Sequence, residues 1–109
     1  MKRIPESDWK KLRSMKSDVL NFVCKRVFEK IDKISSEREG KEHKAYLKLW
    51  KLINLEDRQI SFMFDDLKRS NAILKLAAWK RNGVISNENF SKFSDETRQI
   101  IEALNKALH

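Results

Sequence analysis

LNFVCKRVFEKIDKI, residues 20–34, is the stretch that decides the fold. Leu20, Cys24, Val27, Ile31 and Ile34 recur in steps of four, three, four and three, with Val23 and Phe28 beside them. That is the repeat of one apolar face on an α-helix, whereas a half-buried strand alternates every second residue. The segment therefore predicts a long amphipathic helix.

Upstream, Ile4-Pro5-Glu6-Ser7-Asp8-Trp9 reads as a helix start, because Pro is preset for the first turn and Glu6 and Asp8 complement the positive end of the helix dipole. Trp9, Leu12 and Met15 supply a short apolar edge, and Ser17-Asp18 resembles a new N-cap, so a break is expected near Lys16. Downstream, Ser35-Ser36-Glu37-Arg38-Glu39-Gly40 interrupts the periodicity and predicts a loop. A helix opens near Lys41 and places Tyr46, Leu49, Trp50 and Ile53 on one side, with a kink or restart offered at Asn54-Leu55-Glu56-Asp57. If that helix runs on, Ile60, Phe64, Leu67, Leu74 and Ala78 continue its face.

Lys80-Arg81-Asn82-Gly83 marks a helix end, with cations in the last turn and Gly ready for the left-handed position beyond it. Ser86 caps a short helix through about Lys92, with Ile85 and Phe90 at the spacing of a hydrophobic staple. Ser94 followed by Asp95 and Glu96 starts the last helix, docked by Ile100 or Ile101, Leu104 and Leu108.

Composition agrees. The 109 residues suit one domain, and two Gly with one Pro are too few turn-formers for a fold of many short strands. The expected fold is all-α, a compact bundle of four to five main helices with a short extra helix near 87–92, in a single domain over 1–109. No apolar run approaches a membrane span and the N-terminus carries no apolar leader, so a soluble cytoplasmic protein without membrane contact is expected. A single cysteine, Cys24, forbids an internal disulfide; on the apolar stripe it reads as a small core side chain rather than a nucleophile.

The net charge of +8 is unevenly spread: residues 1–58 hold 16 basic and 10 acidic side chains, residues 59–109 hold 8 and 6. Lys41, Lys44, Lys48 and Lys51, extended by Arg58, share one helical face, and this is the candidate polyanion-binding surface. The same pattern is also what the solvent side of an amphipathic helix looks like. No RNA-binding aromatic motif, zinc finger or phosphate loop is present, and a helix-turn-helix would need its recognition helix in the short segment after Gly83.

Other candidates weaken on spacing. Asn82-Gly83-Val84-Ile85-Ser86-Asn87-Glu88-Asn89-Phe90 resembles half of a calcium loop, but Ala78, Lys80 and Asn89 stand where ligands are needed. Asp65 and Asp66 point about 100° apart on a helix, and Asp65 is placed to pair with Lys68 and Arg69. Asn71 falls inside the apolar stripe, as a buried register-setting amide or as the cap of a restart after Ser70, with a ligand contact as the lesser reading. His43 with Glu39 is a weak metal signal, and His109 is terminal. No metal, cofactor or catalytic set is expected, and the chain is read as a non-enzyme.

Ala72-Ile73-Leu74-Lys75-Leu76-Ala77-Ala78-Trp79 is apolar almost all round. Such a helix is covered on several sides, as the centre of the bundle or by another chain. Ile73, Leu76 and Trp79 lie off the main stripe and form the candidate protein-interaction face, a homodimer being the simplest way to cover it. The strings Phe64-Asp65-Asp66-Leu67-Lys68-Arg69-Ser70 and Phe93-Ser94-Asp95-Glu96-Thr97-Arg98 resemble those of small all-helical bacterial proteins of an uncharacterised family, over most of the chain. The resemblance implies a bacterial cytoplasmic protein and supplies no reaction. A protein-interaction or self-associating module is the leading expectation, with non-specific nucleic-acid binding as the alternative.

Overall fold

The computed structural model describes residues 3–108, and these form an all-α bundle without strands. Helix α1 spans Glu6–Ser36 and α2 spans Glu42–Phe64. A 3-10 turn at Arg69–Asn71 leads into α3, Ala72–Arg81, then the short α4, Asn87–Phe90, and α5, Asp95–Ala107.

The 31 residues of α1 run without a break through Lys16. Leu12, Val19 and Val23 stay on one buried face across Ser17-Asp18, both exposed, so the helix keeps its packing by continuing. Pro5 sits just outside α1 as its N-cap residue. The turn to α2 passes through Gly40 in the left-handed region, and α1 and α2 pack against one another as a hairpin. No restart occurs in α2 at Asn54, whose side-chain N–H donates to the Trp50 carbonyl (2.8 Å) within the same helix.

The helix does stop at Phe64, so α2 and α3 are not one rod. Asp66 takes φ 56°, a region that Asp tolerates better than most residues. Asn71 then holds the corner: its Oδ1 accepts from the Lys68 N–H (2.9 Å) and its Nδ2 donates to the Asp66 carbonyl (2.8 Å). The helix restarts at Ala72 with Asn71 just before it, as one sequence reading has it, but the Asn71 side chain makes no cap bond to α3 and is spent on the turn behind it. Because the helix ends first, Asp65 does not pair with Lys68 and Arg69; it accepts from the Ser61 hydroxyl, and Asp66 takes Lys68.

Helix α3 is the centre of the bundle. Ala72, Ile73, Leu76, Ala77, Ala78 and Trp79 are all buried, among Leu12, Val19 and Val23 of α1, Met63 and Phe64 of α2, and Ile101 of α5. The Trp79 indole packs 5.3 Å from the Phe64 ring, and its N–H donates to the Met63 carbonyl at 3.0 Å. That carbonyl lies in the last turn of α2, where it lacks an intrahelical donor, so one bond satisfies two buried polar groups. Asn105 of α5 donates to the Ala77 carbonyl (3.1 Å) and accepts from Arg81 (3.1 Å), fixing α5 along α3. Ile101 is buried and Ile100 and Leu104 partly so, but Leu108 is 67% exposed and stands outside the core cluster.

The end of α3 is the Schellman arrangement that its sequence predicts: Gly83 N–H donates to the Lys80 carbonyl, and Val84 N–H to the Trp79 carbonyl. Gly83 has φ +66° and buried Val84 folds back toward buried Trp79. Arg26 of α1 donates to the carbonyls of Asn82 and Gly83 (3.3 Å each), placing a cation at the negative end of α3. Ser86 caps α4 and Ser94 caps α5, each accepting a backbone N–H three residues on, with Ile85 and Phe90 both buried.

The Cα radius of gyration, 16.6 Å, exceeds the roughly 13 Å of a compact domain of this length, and the longest dimension is 54 Å. The excess is the outer part of the α1–α2 hairpin, where no residue between Val23 and Met63 is fully buried. Replacing Gly83 by Ala adds a methyl that meets nothing within 4 Å, so its cost is conformational only. A loss of about 1 kcal/mol in urea unfolding is expected for Gly83→Ala, and less for Gly83→Asn.

Candidate interaction surfaces

The two faces singled out in the sequence meet different fates. Ile73, Leu76 and Trp79 are 4%, 0% and 0% exposed, covered by the chain's own helices. The all-round apolar character of α3 is thus met inside the monomer, and these three side chains offer no open surface to a partner. Lys44, Lys48, Lys51 and Arg58 do share one open side of α2, with Lys41 as its non-helical N-cap residue; all five are exposed, and none forms an ion pair with a carboxylate among the described residues.

The open apolar surface lies elsewhere, on the hairpin. Tyr46, Trp50 and Ile53 project from α2 at 63%, 60% and 47% exposure, and Phe28 from α1 at 63%. Spacings of four and three put the α2 trio on one strip. Ile31, Ile34, Ala45, Tyr46 and Leu49 line an apolar hollow along the seam. Another hollow on the seam is lined by Ile34, Glu37, Lys41, Lys44, Ala45 and Lys48. The projecting hairpin therefore has an apolar side, with Asp57 one turn beyond Ile53 on the same strip, and a basic side, separated on α2 by the exposed His43, Leu47 and Asn54.

The geometry has a physical origin. Two helices packed together bury only one narrow seam, whereas the core around α3 is enclosed by several elements. Across that seam Lys30 of α1 meets Glu56 of α2 at 2.6 Å. The repeat of Tyr46, Trp50 and Ile53 was legible as an apolar face, and what covers it was not, because the sequence does not say where the third layer ends.

Chemistry elsewhere is sparse. Among the described residues no group of three His, Cys, Asp or Glu side chains is placed to hold a metal. Glu39 lies in the turn before α2 rather than on it, so the four-residue relation proposed for His43 is not a helical one. His109 lies outside the described residues. Cys24 is a half-buried free thiol. Among the described residues no helix is long and apolar enough to cross a membrane.

A buried carboxylate that periodicity did not single out is Asp8, fully enclosed in the first turn of α1. It accepts from the Ser94 N–H (3.0 Å) and hydroxyl (2.6 Å) and from the Thr97 hydroxyl (2.6 Å), with Lys11 Nζ at 3.9 Å. Burial pushes its carboxyl up, and these donors outweigh that, holding it below the ordinary carboxylate value. With every partner supplied by the chain, the group is a structural tie. The partners lie 86 and 89 residues away, so no local pattern announces them.

Since the folded-state value of Asp8 is depressed, its contribution to stability is present above the unfolded value near pH 4 and is lost as pH falls through the folded one. Asp8→Asn removes the charge and one acceptor; a loss of about 2–3 kcal/mol at pH 7 is expected, shrinking toward pH 3, read by urea unfolding across that range. Compared with protein-family models, curated proteins and solved structures, the chain finds no match.

Proposed function

We propose that the chain is a non-enzymatic interaction module, and that its partner is a second copy of itself docked through the apolar side of the hairpin. The observation that carries this reading is the strip of Tyr46, Trp50 and Ile53 beside Phe28, four large apolar side chains open to solvent on one projecting element. Aromatic side chains dominate the energetic centres of interfaces, and large exposed apolar patches mark binding surfaces.

Area supports a second copy. The accessible surface is 7594 Å², against about 6,300 Å² for a compact monomer of 13.0 kDa. The surplus, on the order of 1,000 Å², exceeds the roughly 800 Å² that each partner contributes to a standard interface. A second hairpin brings two further helices, turning a two-helix seam into a four-helix bundle with a core, by an isologous contact. Charge on this side is mixed: Asp57 stands on the strip one turn beyond Ile53, Asp32 and Lys25 lie on the Phe28 side of α1, and the lysine row stands on the other side of α2. The bacterial cytoplasm is the setting that the sequence resemblance implies.

The test is mass in solution. Light scattering at 10–500 µM (a range of about that order suits micromolar association) is expected to give twice the 13.0 kDa chain mass. Trp50→Glu is expected to return the monomer with unchanged helical circular dichroism, because Trp50 contributes nothing to the buried core. A strict monomer throughout the range, or a dimer indifferent to Trp50→Glu, sinks the reading.

A further inference from the structure

We infer that the basic side of α2 binds the phosphate backbone of a nucleic-acid duplex without reading its sequence. This rests on the lysine row and is independent of self-association, since the two surfaces lie on different sides of the helix.

Lys41, Lys44, Lys48, Lys51 and Arg58 fall within about a third of the helix circumference at 100° per residue, over an axial length of about 25 Å. The acids of α2 are directed elsewhere. Glu42 and Asp57 lie on other faces, and Glu56 is drawn into the hairpin seam by Lys30 at 2.6 Å. Glu37, from the end of the hairpin, is the carboxylate lining the hollow with Lys41, Lys44 and Lys48. Among the described residues none of the five cations is held in an ion pair, so binding a polyanion breaks no internal bridge.

The shape of the row selects the class of ligand. Five cations spread over about 25 Å do not converge on one phosphate, and no buried donor backs them, so a small anion is a poor fit. A duplex presents about one negative charge per 1.7 Å of axis, and a straight cationic rod lies along several phosphates at once. Single strands are bound on aromatic stacking platforms, and the exposed Tyr46 and Trp50 stand on the other side of α2. A lipid surface calls for a continuous apolar face under the cations. Here the exposed apolar residues among the cations are scattered rather than continuous: Leu47 at the edge of the row, Leu55 within it, and Phe62 at its far end, where the Lys75 ammonium stands 5.3 Å from the ring centre.

The experiment is a salt titration of binding to a mixed-sequence duplex of about 20 base pairs by fluorescence anisotropy, with anionic phospholipid vesicles as a second arm. Four to five phosphate contacts predict a slope of log K on log salt near −4, or about a 250-fold loss between 50 and 200 mM salt. The triple reversal Lys44→Glu, Lys48→Glu and Lys51→Glu is expected to reduce the slope by about three and weaken binding more than tenfold at 50 mM. A control reversal of three exposed lysines elsewhere, Lys10, Lys92 and Lys106, changes net charge equally and is expected to cost much less. Circular dichroism of each variant checks that it is folded. No duplex binding at 50 mM salt, equal loss in the control, or binding to vesicles but not to duplex overturns the inference.

Discussion

One carboxylate holds the two ends of the chain together. Asp8 sits in the first turn of α1 and accepts from Ser94 and Thr97 at the first turn of α5, so the positive ends of two helix dipoles meet on a single buried negative charge. A buried charge of this kind is tolerated only when paired and hydrogen-bonded, and here Ser94 supplies both its backbone and its side chain. The arrangement does two things at once, because Ser94 Oγ also accepts from the Thr97 N–H as the cap of α5.

With α1 and α5 tied at this point, α3 is enclosed between them and the end of α2. Its polar edges are closed in the same economical way. The Trp79 N–H uses a free carbonyl of α2, Asn105 uses one of α3, and Arg26 covers the carbonyls beyond the Gly83 corner. Every one of these bonds lies in the inner half of the molecule. Beyond Arg26 and the partly buried Ile60 the hairpin is held by its seam and the Lys30–Glu56 pair, which leaves its aromatic and lysine side chains open to solvent. Burial of the core and exposure of the hairpin are two results of one distribution of apolar surface among the layers.

Local signals were read well from the sequence. The apolar stripe of residues 20–34, the Gly40 loop, the Gly83 stop and the Ser86 and Ser94 caps all stand as the residue types imply. Expectations failed where a local signal met long-range packing. Ser17-Asp18 and Asn54 look like caps, yet the flanking residues gain more from continuing the helix than from restarting it. The break between α2 and α3 was visible only as an out-of-place amide at Asn71, since the turn itself depends on a left-handed Asp66 that no glycine marks. The lysine row was legible in full. The strip of Tyr46, Trp50 and Ile53 was legible as an apolar pattern, but not that it stays open while the all-round apolar α3 is covered, because neither local pattern names its neighbours.

By itself the sequence determined the helical class, the helix ends that carry cap or glycine chemistry, and the alignment of five cations on one face. These depend on neighbours within a few residues, where covalent spacing and the 3.6-residue repeat set the geometry. Tertiary structure alone decided that Ile73, Leu76 and Trp79 are interior, that Tyr46, Trp50 and Ile53 are open, and that Asp8 is a tie rather than a first-turn charge. Burial is a property of the whole arrangement, and an apolar face carries no local record of which distant helix covers it.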